Sequence, residues 1–224
     1  MKQRGIKMKG LVLLLALLVS FGLVLAGCAG GGDDDTGDDD TGPTVPEAPT
    51  NLEAVGEGDH INLSWQDNSD NEDGFEIWYR DYGSGDAFEL LTMLESDATA
   101  YTHDAGYEKH YEYKVRAYNN AGESDYSNVA DAATAPNPPT NLEAVGHEDY
   151  IELSWQDNSS AEDGFRIYYR EAARSDFELL AEVEANETSY TDECGSERWR
   201  EYKVVAYNDA GESEPTEIAD AKTA

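Results

Sequence analysis

Residues 49–80 align without a gap on residues 139–170, and 24 of the 32 positions are identical. A chain that repeats itself at an offset of 90 is built from two like units. PTNLEAVG occurs at Pro49–Gly56 and again at Pro139–Gly146, and LSWQDNS at Leu63–Ser69 and Leu153–Ser159. After one deletion the offset becomes 89: Tyr113-Lys114-Val115 then falls on Tyr202-Lys203-Val204, and Ala121–Ser124 on Ala210–Ser213. A unit of about 86 residues is large enough to hold its own core without cross-links. The join, Thr134–Pro139, is short and Pro-rich, the composition of a semi-rigid spacer.

Inside each unit the apolar period is two. Ile61, Leu63 and Trp65 alternate with His60, Asn62 and Ser64. Phe75, Ile77 and Tyr79 alternate with Glu76, Trp78 and Arg80, and Tyr111, Tyr113, Val115 and Ala117 with Glu112, Lys114, Arg116 and Tyr118. This rhythm marks half-buried antiparallel strands. Stretches rich in Asn, Asp, Gly and Ser separate them at 66–73, 82–87 and 119–124. The fold class is therefore all-β, two tandem sandwiches. Four marks resemble the fibronectin type III domain, and each occurs twice. They are the Pro-x-x-Leu starts at Pro49 and Pro139; Trp65 and Trp155; the Gly74-Phe75-x-Ile77-x-Tyr79-Arg80 strand; and the Tyr111-x-Tyr113-x-Val115-x-Ala117-x-Asn119 strand with Gly122-x-Ser124. The resemblance implies a three- or four-strand sheet on a smaller one, without a disulfide.

The second copy departs in the connection before its last long strand. Arg200 stands where the first has Tyr111, which the resemblance makes the tyrosine corner, a hydroxyl-to-backbone lock. Trp199 is expected to fill the gap. Cys194 is read as an inert, partly buried thiol, with an intermolecular disulfide as the sharper alternative. The second copy is expected to be the less stable.

The N-terminus reads as an export signal. Lys2, Arg4, Lys7 and Lys9 precede the apolar run 11–25, which is short for a membrane span. The run stops at Leu25-Ala26-Gly27-Cys28, which resembles a bacterial lipobox and implies lipidation of Cys28. By the same resemblance, Ala29 after the cysteine favours an outer membrane where the cell has one. The expected organisation is residues 1–27 signal, 28–48 tether, 49–135 first domain and 136–224 second domain. The tether holds six aspartates in two triplets, 33–35 and 38–40, which repel one another and keep it extended. A weak calcium site is the alternative reading of the triplets.

The 224 residues hold 15 Lys+Arg against 48 Asp+Glu, a formal charge of −33. Removing residues 1–27 takes four cations and no acid, leaving −37. No basic face is available to neutralise phosphates, so nucleic acid is excluded as a partner. The expected membrane link is the lipid anchor alone. Such a charge repels itself at low ionic strength. The Debye length shrinks from about 10 Å at ~0.1 M salt to about 3 Å at ~1 M, so the melting temperature is expected to rise on adding NaCl to about 2 M. The acidity is read as the mark of a saline habitat, or at least of salt-dependent stability; a melting temperature that stays flat or falls in a salt titration would end that reading.

His60, His103, His110 and His147 have no ligand-spaced partner, and no nucleophile elbow or phosphate loop is present, so neither enzyme chemistry nor a cofactor is expected. The loop 67–74 carries Asp67, Ser69 and Asn71 at alternate positions, as a calcium loop begins, but Glu72 stands where the turn glycine belongs and the second copy replaces two of the possible ligands. Asx-turns explain it without a metal. The candidate binding face lies on the outward side of the Phe75 and Tyr111 strands, neighbours in the sandwich that the resemblance implies. It comprises Trp78, Arg80, Arg116 and Tyr118, with Tyr168, Arg170 and Tyr207 in the second copy. Aromatics flanked by Arg are a hot-spot composition, and flat rings also suit sugars. Cross-strand stabilisation of the sheet is the plainer reading. The expected function is display or adhesion at the envelope, through a protein or polysaccharide ligand. The alternatives are a carbohydrate-binding accessory to a separate secreted hydrolase and a passive spacer.

Overall fold

The computed structural model describes residues 42–171 and 176–224. The export signal, Cys28 and both aspartate triplets lie outside them. Every regular element among the described residues is a strand, and no helix there is long and apolar enough to cross a membrane.

In the first unit β1 (Thr50–Glu57), β2 (His60–Gln66) and β5 (Ala100–His103) form the smaller sheet, in the order β1-β2-β5. The larger sheet runs β4 (Glu89–Glu95), β3 (Gly74–Asp81), β6 (His110–Asn119), with β7 (Gly122–Glu123) and β8 (Ala130–Ala133) both pairing the far side of β6. The second unit repeats the plan. Its smaller sheet is β9 (Thr140–Gly146), β10 (Ile151–Gln156) and β13 (Ser189–Asp192). Its larger sheet is β12 (Glu178–Glu184), β11 (Gly164–Glu171), β14 (Trp199–Asn208), β15 (Gly211–Glu212) and β16 (Ala219–Lys222).

The alternation predicted from the sequence is what fills the space between the sheets. Ile61, Leu63 and Trp65 from β2 meet Phe75 and Ile77 from β3 and Tyr113, Val115 and Ala117 from β6, all buried. Ile151, Leu153, Trp155, Phe165, Ile167, Tyr202, Val204 and Ala206 do the same in the second unit. The cores are two separate clusters. Trp65 tilts on Phe75 at 5.8 Å and Trp155 on Phe165 at 5.6 Å. Burying such side chains contributes roughly 1.5–3 kcal/mol each.

Between β7 and β8 the chain no longer runs as a strand, and hydroxyls replace its backbone acceptors. Ser124 donates its N–H to the Ala117 carbonyl and takes the Ala117 N–H on its Oγ; Ser127 treats Val115 the same way. Ser213 and Thr216 repeat the device on Ala206 and Val204. This pins Tyr126 between two anchored serines, against the outward side of β6.

Candidate functional site

The strands carrying the candidate face are neighbours, as the sequence requires. In the β3–β6 register Glu76 lies opposite Arg116, Trp78 opposite Lys114 and Arg80 opposite Glu112. A bulge between Ile77 and Trp78 re-aims the end of β3 relative to β4, and the second unit has it at the same place, between Ile167 and Tyr168.

In the first sandwich the face is a ladder of alternating rings and cations. Arg80 sits 4.4 Å from the Phe88 ring. Lys114 Nζ stands 4.5 Å from Phe88 and 3.5 Å from Tyr126. Arg116 lies 5.1 Å from Tyr126 and 5.4 Å from Trp78. Tyr126 meets Trp78 edge-on at 6.3 Å. Both arginines are neutralised within the sheet: Arg80 by Glu112, and Arg116 by Glu76 at 2.7 Å and Glu123 at 3.6 Å. Lys114 is held by rings, and its pKa is lowered by burial first and by Arg116 and Arg80 after it. Trp78 is half-buried, its indole N–H donated to Glu76, so it is not the freely exposed ring that alternation alone suggests. Beyond it on β4, Leu90 and Met93 are 44% and 49% exposed. Tyr118 belongs to packing, since its ring covers Gly74, where a Cβ would come within 2.8 Å of the hydroxyl.

The second sandwich alters the same face. Pro215 replaces Tyr126 and Val205 replaces Arg116. Glu212 then clasps Arg166 at 2.9 Å and the Tyr168 hydroxyl at 2.7 Å. Val205, although on the outward side, is only 3% exposed. Burial pushes the Tyr168 hydroxyl up to about 12, and the Glu212 bond adds to it. Tyr207 lies over Gly164 and carries Arg166 at 4.2 Å, while Arg170 pairs with Glu201 and stacks on Phe177 at 4.6 Å. The seven sequence candidates thus fall on equivalent faces, the first lined by Tyr126 and Met93, the second by Glu212 and Glu182 around Arg166, with Leu179 50% exposed and Lys203 over Tyr168 and Phe177. Phe88, Tyr126, Leu90 and Met93 were missed because they lie on turns and edge strands with no alternation to place them.

Trp199 does not fill the gap left by Tyr111: it is 53% exposed and donates its indole N–H to Asp220. The space is taken by a charge exchange. In the first sandwich the buried pocket holds His103, whose Nδ1 meets the Tyr113 hydroxyl at 2.8 Å, with Tyr111 and Tyr79 around it. In the second, Asp192 and Arg200 stand at the two positions held by His103 and Tyr111 and pair at 2.7 Å, beneath Tyr169. Tyr111 makes no hydroxyl-to-backbone bond among the described residues, and the hydroxyl that locks this connection is that of Tyr113, or of Tyr202 on Asp192. Cys194 is half-buried beside the second core, and burial raises its thiol pKa.

Burial lowers the His103 pKa from 6.5, only partly opposed by Asp104. The folded state therefore holds fewer protons than the unfolded one just below that value, and stability falls as pH drops through 6.5 toward the folded pKa. The first sandwich is expected to lose stability between pH 7 and 5 relative to a His103→Gln variant. Parallel pH profiles of the two proteins in urea would refute this.

His60, His110 and His147 stand on the surface beside Asp59, Asp131 and Glu152. In the loop at 67–74, Asp67 and Glu72 come together with Asp97, which sequence spacing did not indicate. The Asp67 and Glu72 oxygens are engaged by neighbouring donors. Ser69 donates its N–H to Asp67 and its hydroxyl to Glu72, and the Asp97 N–H reaches Glu72 at 3.1 Å. The Asx-turn reading accounts for the geometry.

Residues 47–133 match the fibronectin type III domain, a module that commonly serves interaction, adhesion or spacing. Among solved structures, the FN1–FN3 domains of chicken CNTN1 are 21% identical over 80% of this chain and 68% of that one, with a TM-score of 0.46. A two-domain fibronectin type III segment of chicken tenascin is 15% identical over 78% of this chain and 99% of that one, with a TM-score of 0.44.

Proposed function

We propose that the chain is a lipid-anchored envelope protein, held at Cys28, that uses the outward face of its first sandwich to engage a protein or glycan. The observation that carries this reading is the difference between two otherwise equivalent faces. One sets Lys114 3.5 Å from Tyr126 beside exposed Leu90 and Met93; the other keeps exposed Leu179 and a ring-held Lys203 but has Pro215 in place of Tyr126 and the acids Glu182 and Glu212 on Arg166. Apolar surface flanked by aromatics and a cation without an acid partner suits an interface core. The export signal, lipobox and acidic tether support the location.

Two experiments test it. Cys28→Ser is expected to leave an uncleaved, unlipidated precursor; normal processing and membrane retention of that variant would end the anchor reading. For the face, Met93→Asp combined with Tyr126→Ala is expected to cut retention on cell-wall polysaccharide or envelope vesicles at least tenfold, about 1.4 kcal/mol, with melting unchanged. Leu179→Asp in the second sandwich is expected to leave retention unaltered. Equal retention of all three proteins would favour the spacer reading; loss on polysaccharide alone would favour the glycan accessory.

A further inference from the structure

The turn before β6 projects Glu108 out of the first sandwich and into the second. Its carboxylate accepts the Ser159 hydroxyl and the Ser160 N–H, the latter at 2.8 Å, as well as backbone and side-chain bonds from Asn137. Nearby, the Tyr107 hydroxyl rests on the backbone of Glu214, and Asn208 donates to the Thr134 carbonyl at 3.3 Å. Glu108 has φ +56°, and its N–H is fixed on the Ala135 carbonyl at 3.0 Å. The equivalent Glu197 has the same φ of 56°, with its N–H on Ala224 at 3.1 Å. The sandwich itself therefore presents this glutamate, and the junction exploits a geometry already formed.

The receiving loop exists twice, in two states. In the first sandwich Ser69 gives its hydroxyl to Glu72 of its own loop at 2.7 Å. In the second, Ser159 gives its hydroxyl to Glu108 instead. Glu162, the counterpart of Glu72, is left with Oε2 buried and without a partner. A buried carboxylate oxygen without a donor is costly. The two acceptors compete for one hydroxyl, and in this arrangement the one across the junction holds it. The collar around the joint does not depend on that choice. Asn119 binds the Thr44 carbonyl at 2.9 Å ahead of the first sandwich, much as Asn208 binds Thr134 ahead of the second.

We infer that Glu108 is a latch between the sandwiches: Ser159 is shared by a junction carboxylate and an internal one, and its choice sets whether the two modules move as one body. Latched, the pair moves as one rigid body, which fixes how the second sandwich is oriented relative to the first. Released, Ser159 returns to Glu162, in the state that Ser69 and Glu72 display, and the proline-rich join becomes a hinge. The inference does not rest on any ligand of the outward face or on the anchor.

The test uses the full chain with Cys28→Ser and Cys194→Ser, spin-labelled through Thr102→Cys and Thr191→Cys, two exposed positions on β5 and β13. A single narrow distance distribution is expected. Glu108→Ala is expected to broaden it at least twofold, and Ser159→Ala, which keeps the Ser160 and Asn137 donors, to broaden it less. A structure of the Glu108→Ala protein is expected to show the Ser159 hydroxyl on Glu162. A broad distribution in the parent, an unchanged width in Glu108→Ala, or a Ser159 hydroxyl that ignores Glu162 would each overturn the latch. Should Glu108→Ala not fold, the Ser159→Ala width decides: no broadening refutes.

Discussion

Asp192→Ala is expected to cost the second sandwich about 3–5 kcal/mol, the range for breaking one side of a buried ion pair. Asp192 is 5% exposed and accepts from Arg200 at 2.7 Å and from the Tyr202 hydroxyl at 2.6 Å. Its removal strands two donors at once. Glu171, 3.2 Å from Arg200, would compensate part of the charge but lies nearer the surface. The orphaned Tyr202 hydroxyl adds a desolvation penalty of about 1–3 kcal/mol. The first sandwich shows how the same space is filled without charge, by His103 beside Tyr111 and Tyr113. The double change Asp192→His with Arg200→Tyr imports that solution and is expected to cost under about 1.5 kcal/mol, as repacking without an unpaired group does. Urea unfolding followed by signals from each sandwich would measure both. If the double variant is as damaged as Asp192→Ala, the two pockets are not interchangeable and the exchange argument fails. The expectation that the second copy is weaker rested on the missing tyrosine, and the Asp192–Arg200 pair removes that ground.

That exchange shows where sequence reading stops. The strands, the pairing of β3 with β6, and the burial of Trp65, Trp155, Phe75 and Phe165 follow from period two and from the repeat, because one face of each strand has nowhere to go but inward. Arg200 looked like a loss because its partner, Asp192, lies eight residues earlier on the opposite sheet, a distance no local pattern spans. The same holds for the outward faces. The aromatics and arginines of each face were legible; the difference between the two ladders hangs on Tyr126 against Pro215, Arg116 against Val205 and Glu76 against Arg166, which turn the matching glutamates Glu123 and Glu212 onto different arginines. Glu108 carries no sequence signal at all, since a glutamate at φ +56° is set by the turn around it and not by its own preference.

Gly56→Ala is the second large effect expected, because the backbone occupies the place where its Cβ would go. At Gly56 an added Cβ would lie 1.7 Å from the Ala133 carbonyl oxygen, and at Gly146 2.0 Å from that of Lys222. These are the places where β1 and β9, from the smaller sheets, run against β8 and β16 of the larger ones. Neither obstacle is the end of a flexible side chain, so a strand must shift. Overpacking of this kind costs about 1–3 kcal/mol and occasionally more, and the upper end is expected here. Gly58, two residues on, has φ +60° and open space around it, so Gly58→Ala is expected to cost only about 1–2 kcal/mol from the left-handed backbone. Both positions lead to the junction. Ala133 leads through Thr134 to Ala135, whose carbonyl holds the Glu108 N–H. A displaced β8 therefore disturbs the residue that bridges to the second sandwich. Gly56→Ala is expected to lower the stability of the first sandwich and widen the interdomain distance distribution together; the Gly58 carbonyl accepts the Ala135 N–H at 2.8 Å, so Gly58→Ala should widen it as well, by less, in keeping with its smaller cost. A neutral Gly56→Ala would show that β1 and β8 are not held as closely as this packing requires.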